Sequence, residues 1–99
     1  MRLSKTQQST IKELAIEVFD EQVSVHLFGS RTNDQARGGD IDLLIVADHP
    51  VTDRVRKVMR LNAKLQMALG EQKFDIVVRD PGTMITPFHL HILDSAIRL

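Results

Sequence analysis

Asp40 and Asp42 stand two positions apart in Gly39-Asp40-Ile41-Asp42-Leu43-Leu44-Ile45-Val46, and Phe28-Gly29-Ser30-Arg31 lies a short way upstream. Successive side chains on a strand point to opposite faces, so these two acids project together while Ile41, Leu43 and Ile45 turn the other way, into a core. Neighbouring carboxylates repel each other and resist desolvation, and a cation ordinarily compensates such a pair. Hard oxygen ligands suit Mg²⁺ or Mn²⁺, and Mg²⁺ is usually held by one or two carboxylates together with substrate phosphates. Gly29-Ser30 offers backbone N–H groups and a hydroxyl for those phosphates. A third acid, Asp75, sits in the β-rich run Lys73-Phe74-Asp75-Ile76-Val77-Val78. If Phe74, Ile76 and Val78 face one layer, Asp75 emerges on the other. Were that strand beside the one bearing Asp40 and Asp42, three carboxylates would converge beyond the Gly-Ser turn. Two of them could bind metal, and the third could bind metal or accept the proton of an attacking hydroxyl. Nucleotidyl transfer requires such an arrangement.

The elements that must position these residues are legible in the hydrophobic pattern. Ile11, Leu14, Ala15 and Val18 recur at helical spacing and predict an amphipathic helix from about Ser4 to Asp20, started either by a capping box of Ser4 with Gln7 or equally by Thr6 or Ser9. Val23 to Phe28 reads as a first strand, and Ile41 to Val46 as a central strand covered on both faces. Between them, Gly29 to Gly39 is polar and without hydrophobic period. His49-Pro50 ends the central strand. Thr52 or Asp53 is then expected to cap a second helix running to about Leu69, with Val55, Val58, Met59, Leu65, Ala68 and Leu69 on its buried side and Gly70 just past its end. Phe74 to Val78 forms the third strand, closed by the turn Asp80-Pro81-Gly82. Thr86-Pro87 opens a final helix expected to reach the terminus. The fold class is α/β (α+β): one domain over residues 1–99, with a small mixed sheet flanked by helices.

Composition narrows the partners. The 99 residues include 13 basic and 13 acidic side chains, so bulk charge points to neither nucleic acid nor membrane. Absence of cysteine removes disulfides, thiolate nucleophiles and cysteine zinc sites. The absence of Trp and Tyr, with only four Phe, argues against a base-stacking platform for single strands. The N-terminus lacks a signal-type apolar run and no segment is long enough to span a bilayer, so the expected compartment is the cytoplasm.

Taken together, Gly29-Ser30, the nine residues that follow, Asp40-Ile41-Asp42 in an apolar strand and a later strand aspartate resemble the DNA polymerase beta-like nucleotidyltransferase superfamily. Within it, the short length and Gly-Ser-Arg…Gly-Asp-Ile-Asp-Leu-Leu-Ile-Val look like the minimal nucleotidyltransferases, or MNT proteins. The resemblance implies that Gly29 and Ser30 contact the β- and γ-phosphates, with Arg31 as a further phosphate contact. It implies that Asp40 and Asp42 hold two Mg²⁺ ions, and that Asp75 is a third metal ligand or the general base. Larger members carry extra domains for base and acceptor, for which this chain has no room. A partner chain is therefore expected to complete the site or to be the acceptor. Small MNT proteins resemble antitoxins paired with a helical HEPN toxin, which implies AMP transfer from ATP to a tyrosine of that partner. The alternative is a catalytically silent nucleotide-binding subunit that neutralises or regulates a helical partner by contact alone.

Two features have plainer readings. Arg56, Arg60 and Lys64 fall at i, i+4 and i+8 and form one basic stripe, either a solvated face or a docking surface for an acidic partner or RNA. Ile97 and Leu99 at the end of the chain suggest an exposed apolar interface.

Overall fold

The computed structural model describes residues 3–29, 41–70, 72–83 and 86–99. The elements follow the order α1 (Lys5–Val18), β1 (Ser24–Phe28), β2 (Ile41–Val46), α2 (Arg54–Leu69), β3 (Phe74–Arg79), α3 (Pro87–Ser95) and β4 (Ile97–Arg98). The strands form one mixed sheet in the order β3-β2-β1-β4: β1 runs antiparallel to β2 and β4, and β2 runs parallel to β3. Antiparallel β1 and β2 need only a loop between them. The parallel pair needs a crossover, which α2 supplies.

Of the three starts open to helix α1, the structure takes Ser4. Ser4 is extended at φ −68°, ψ 161°; its Oγ accepts from the Gln7 N–H at 3.1 Å while Gln7 Oε1 accepts from the Ser4 N–H at 2.9 Å. Ile11, Ala15 and Val18 are the buried stripe. They meet Leu61 and Leu65 of α2 and one face of the sheet, where Val25, Leu27, Ile41, Leu43, Ile45, Phe74 and Val78 complete a continuous core. Leu44, on the other face of β2, is 1% exposed and lies outside that core cluster, as does the buried Ile92 of α3. β2 is therefore covered on both sides, as its nearly unbroken apolar run requires.

Helix α2 starts differently from expectation. Asp53 adopts the left-handed conformation (φ 51°, ψ 42°), and neither it nor Thr52 caps the helix through its side chain. The junction is held from a distance by Asp80, at the end of β3. Its Oδ2 accepts from the Val51 N–H and pairs with Arg54 Nη2, each at 2.8 Å. Its Oδ1 accepts from the Gly82 N–H at 2.9 Å and from the Thr83 hydroxyl at 3.1 Å. At the other end Gly70, with φ +90°, donates to the Gln66 carbonyl at 2.9 Å and stops the helix, as expected.

The buried side of α2 also needs correcting. Leu61 and Leu65 are enclosed, with Val58 and Leu69 partly buried, but Val55, Met59 and Ala68 are exposed. Val55 and Met59 belong to a second apolar arc, which periodicity alone merges with the first.

The chain end is the other departure. α3 stops at Ser95, and Ile97 and Arg98 pair with Leu27 and His26 of β1. The Leu99 N–H donates to the Val25 carbonyl at 2.9 Å, and its side chain packs on the core. An edge strand leaves a row of unpaired backbone groups, and these last residues satisfy part of that row. Ile97 and Leu99 thus complete the sheet and are partly buried, where the sequence suggested exposed residues.

His49, at the end of β2, bridges Asp20 (Nε2 to Oδ2, 2.6 Å) and Asp48 (Nδ1 to Oδ1, 2.9 Å). The hydrogen bond to Asp48, together with that to Asp20, raises its pKa above the ordinary histidine value. Folding therefore favours the charged ring. The stability it contributes is complete below about pH 6.5, its unfolded value, and is lost as pH rises through the higher folded value. In His49→Gln, thermal unfolding followed between about pH 6 and 8 is expected to lose this component of the pH dependence. Among the described residues, no helix is long and apolar enough to cross a membrane.

Candidate active site

The site is assembled by strand register. β2 and β3 align residue by residue, Ile41 with Phe74, Asp42 with Asp75 and Leu43 with Ile76. Partners across a ladder share a face, so Asp42 and Asp75 both project from the face opposite the core cluster. Asp42 is half-buried and Asp75 exposed. On the other side of β2, Asp42 aligns with Phe28, the last residue of β1, which brings Gly29 against the Asp42 side chain. The acids meet because Phe74 is anchored inward at 4% exposure and Ile41 is fully buried, which leaves the alternate positions no other direction.

Gly29 is required here on two grounds. Its φ of +79° lies in the left-handed region that other residues resist. A β-carbon at this position would also stand 3.0 Å from Asp42 Cγ and closer still to Oδ2. The missing side chain is what lets the β1 turn lie beneath the carboxylate. Gly29→Ala is expected to cost about 1–2 kcal/mol from backbone conformation alone and to displace the Asp42 carboxylate. Urea unfolding reads the first effect and loss of metal–nucleotide binding the second.

Ser30, Arg31 and Asp40 lie outside the described residues. Among those described, no three His, Asp or Glu side chains are grouped to hold a metal. The brought-together set is therefore Gly29, Asp42 and Asp75. On the same face, two positions along β1 from Phe28, His26 Nε2 lies 2.9 Å from Ser24 Oγ; burial, with the nearby Arg98 charge second, lowers its pKa and favours the neutral ring.

The family described as polymerase beta, nucleotidyltransferase matches residues 9–99. The chain belongs to that family. Among curated proteins, none matches it. The match runs from within α1 to the end of the chain and includes β4, whose pairing along β1 the sequence pattern did not reveal.

Members of the nucleotidyltransferase superfamily typically use Mg²⁺ and a nucleoside triphosphate. The donor set of this nucleotidyltransferase fits that requirement: carboxylates from adjacent strands on one face, one half-buried and one open to solvent, with a backbone turn lacking a β-carbon beneath the first. Oxygen donors alone, with room for substrate phosphates, are what Mg²⁺ prefers.

Two polar anchors escaped the sequence reading. Asp80 has a signal, the Asp-Pro-Gly-Thr order of a side-chain-stabilised turn, but its long-range bonds to Val51 and Arg54 have none. His49 had no visible companion because Asp20 comes from the end of α1 and meets it only in the fold.

Proposed function

We propose that this nucleotidyltransferase is a minimal, MNT-type enzyme that transfers AMP from ATP to a hydroxyl, a tyrosine of a helical HEPN-type partner, and so acts as its antitoxin. What carries the reading is the register pairing of Asp42 with Asp75 beside Gly29. Asp40, Asp42 and Asp75 would hold two Mg²⁺ ions, which supply charge neutralisation at the triphosphate and the transferring phosphorus.

The chain's own residues have separate tasks. The Gly29 turn lets backbone approach the β- and γ-phosphates, and Ser30 and Arg31 hold them. Asp75, the more exposed acid, accepts the proton of the attacking hydroxyl when it is not itself a ligand. The acceptor oxygen attacks the α-phosphorus, the bond to the β-phosphate bridge breaks, and pyrophosphate leaves with its electron pair. Holding both reactants in line accounts for much of the rate, since little covalent chemistry is asked of the protein.

The test is incubation of the purified chain with labelled ATP and Mg²⁺, with and without the product of the neighbouring gene, followed by intact mass. A gain of one or more AMP units on the partner is the expected result. Tight complex formation with no gain would overturn transfer and leave neutralisation by contact.

A further inference from the structure

Helix α2 carries two apolar arcs, and among the described residues only one of them is packed. The second consists of Val55, Met59, Ala63 and Met67, spaced at i, i+4, i+8 and i+12, so that they line one stripe. Val55 is 73%, Met59 67% and Met67 87% exposed. The stripe runs about 18 Å along the helix and is indented by two shallow grooves that share Met59. Outside α2, the one other large hydrophobic strongly exposed among the described residues is Leu90. An exposed apolar patch of this continuity marks an interaction surface, and methionines are suited to packing against a helical partner.

Charge decides what that partner is. On one flank of the stripe, Gln66 Nε2 donates to Asn62 Oδ1 at 2.7 Å, a neutral rim. The other flank is Arg56 and Arg60, continued by Lys64, and α2 contains no acid at all. Lys64 is paired with Glu17 at 2.9 Å and Arg54 with Asp80, whereas Arg56 and Arg60 make no ion pair among the described residues. The chain as a whole has no net charge, so this concentration of cations is local to the helix. A second copy docked through the same face would set cations against cations. The exposed acids of α1, Glu13 and Glu17, flank no comparable apolar stripe.

We propose that the Val55–Met67 face of α2 docks an acidic amphipathic helix of a partner protein, its apolar side on Val55, Met59 and Met67 and its carboxylates on Arg56 and Arg60. Such docking is the helix-in-groove mode, with anchors read at helical spacing. The surface belongs to the helix packed on the core face of the sheet, while Asp42 and Asp75 project from the opposite face. A helix seated there leaves the carboxylates open to nucleotide, and the proposal does not depend on their chemistry.

The experiment titrates the ¹⁵N-labelled full chain, without nucleotide or metal, with two synthetic amphipathic helical peptides. Both carry leucines along one stripe; one has glutamates on the flanks, the other lysines. The glutamate peptide is expected to bind, with amide shift changes concentrated over residues 55–67. Raising salt from about 50 to 300 mM should weaken it roughly tenfold, as should the double variant Arg56→Glu/Arg60→Glu. Met59→Asp should abolish it while the circular dichroism spectrum stays native, because the side chain is already in solvent. No binding of the glutamate peptide, or equal binding of the lysine peptide, would overturn the proposal. So would a dimer seen by sedimentation that Met59→Asp dissolves, since a second copy would then cover the face. Binding to phosphatidylglycerol vesicles in preference to the peptide would equally overturn it, assigning the face to a membrane surface.

Discussion

Asp42→Asn is expected to abolish nucleotidyl transfer while leaving the protein folded and at least as stable as the parent. Asparagine keeps the length and shape of the side chain, and β2 keeps its register because Ile41 and Leu43 remain fully buried. What changes is charge. Asp42 and Asp75 are cross-strand partners, and like charges so placed destabilise a sheet by about 0.2–1 kcal/mol, so removing one relieves the metal-free fold. Under the proposed function, the same removal takes away a metal ligand. Loss of a mere supporting partner of a ligand costs about 10–100-fold, so loss of the ligand itself should cost roughly a hundredfold or more in rate. Two assays read the opposition. Intact-mass rates with ATP and Mg²⁺ should fall, while the melting temperature without ligand should hold or rise. The stabilisation given by ATP and Mg²⁺, about 2.7 kcal/mol at a hundred times Kd in the parent, should vanish. A variant that still transfers AMP would make these acids ordinary surface charges.

Asp80→Ala is expected to be the most destabilising single exchange outside the core. The carboxylate is 7% exposed and accepts from Val51, Arg54, Gly82 and Thr83. The Val51 N–H bond foremost, then that from Arg54, holds its pKa far below the usual carboxylate range. Alanine would remove the shared acceptor of several partly buried donors at once and release the start of α2, which has no side-chain cap of its own. The melting temperature should fall by roughly 10 °C or more. The pH dependence has the opposite sense to that of His49. A depressed folded pKa means the contribution is present above the unfolded value near pH 4 and is lost as pH falls below it. Parent and variant stabilities should therefore converge in acid. A constant gap down to about pH 2 would show that the carboxylate's charge is not what holds the junction.

How much of this was readable beforehand depends on range. The capping box of Ser4 and Gln7, the glycine stop at Gly70 and the strand Ile41–Val46 are local patterns, and each appears where the pattern puts it. The facing of Asp42 and Asp75 followed from alternation alone; that the two strands are neighbours did not, because pairing is decided by crossover and core. β4 was hidden for a related reason. Ile97-Arg98 is too short to carry a period, and only the open edge of β1 explains its extended form. The roles of Ser30, Arg31 and Asp40 rest on spacing and on resemblance. On α2, Val55 and Met59 read as one face with Leu65 until burial separated them, and the fully buried Leu61 was missing from that reading.

The parallel alignment of β2 with β3 has a consequence for how the chain comes together. Asp42 and Asp75 are separated in sequence by all of α2, so nothing resembling their joint position exists in a nascent or unfolded chain. The loop they close spans about 33 residues, so bringing them together costs chain entropy before the sheet repays it. Their mutual repulsion adds to that closing step. If the two carboxylates share a divalent cation, that cation is expected to speed refolding as well as slow unfolding, which stopped-flow kinetics with and without Mg²⁺ would read.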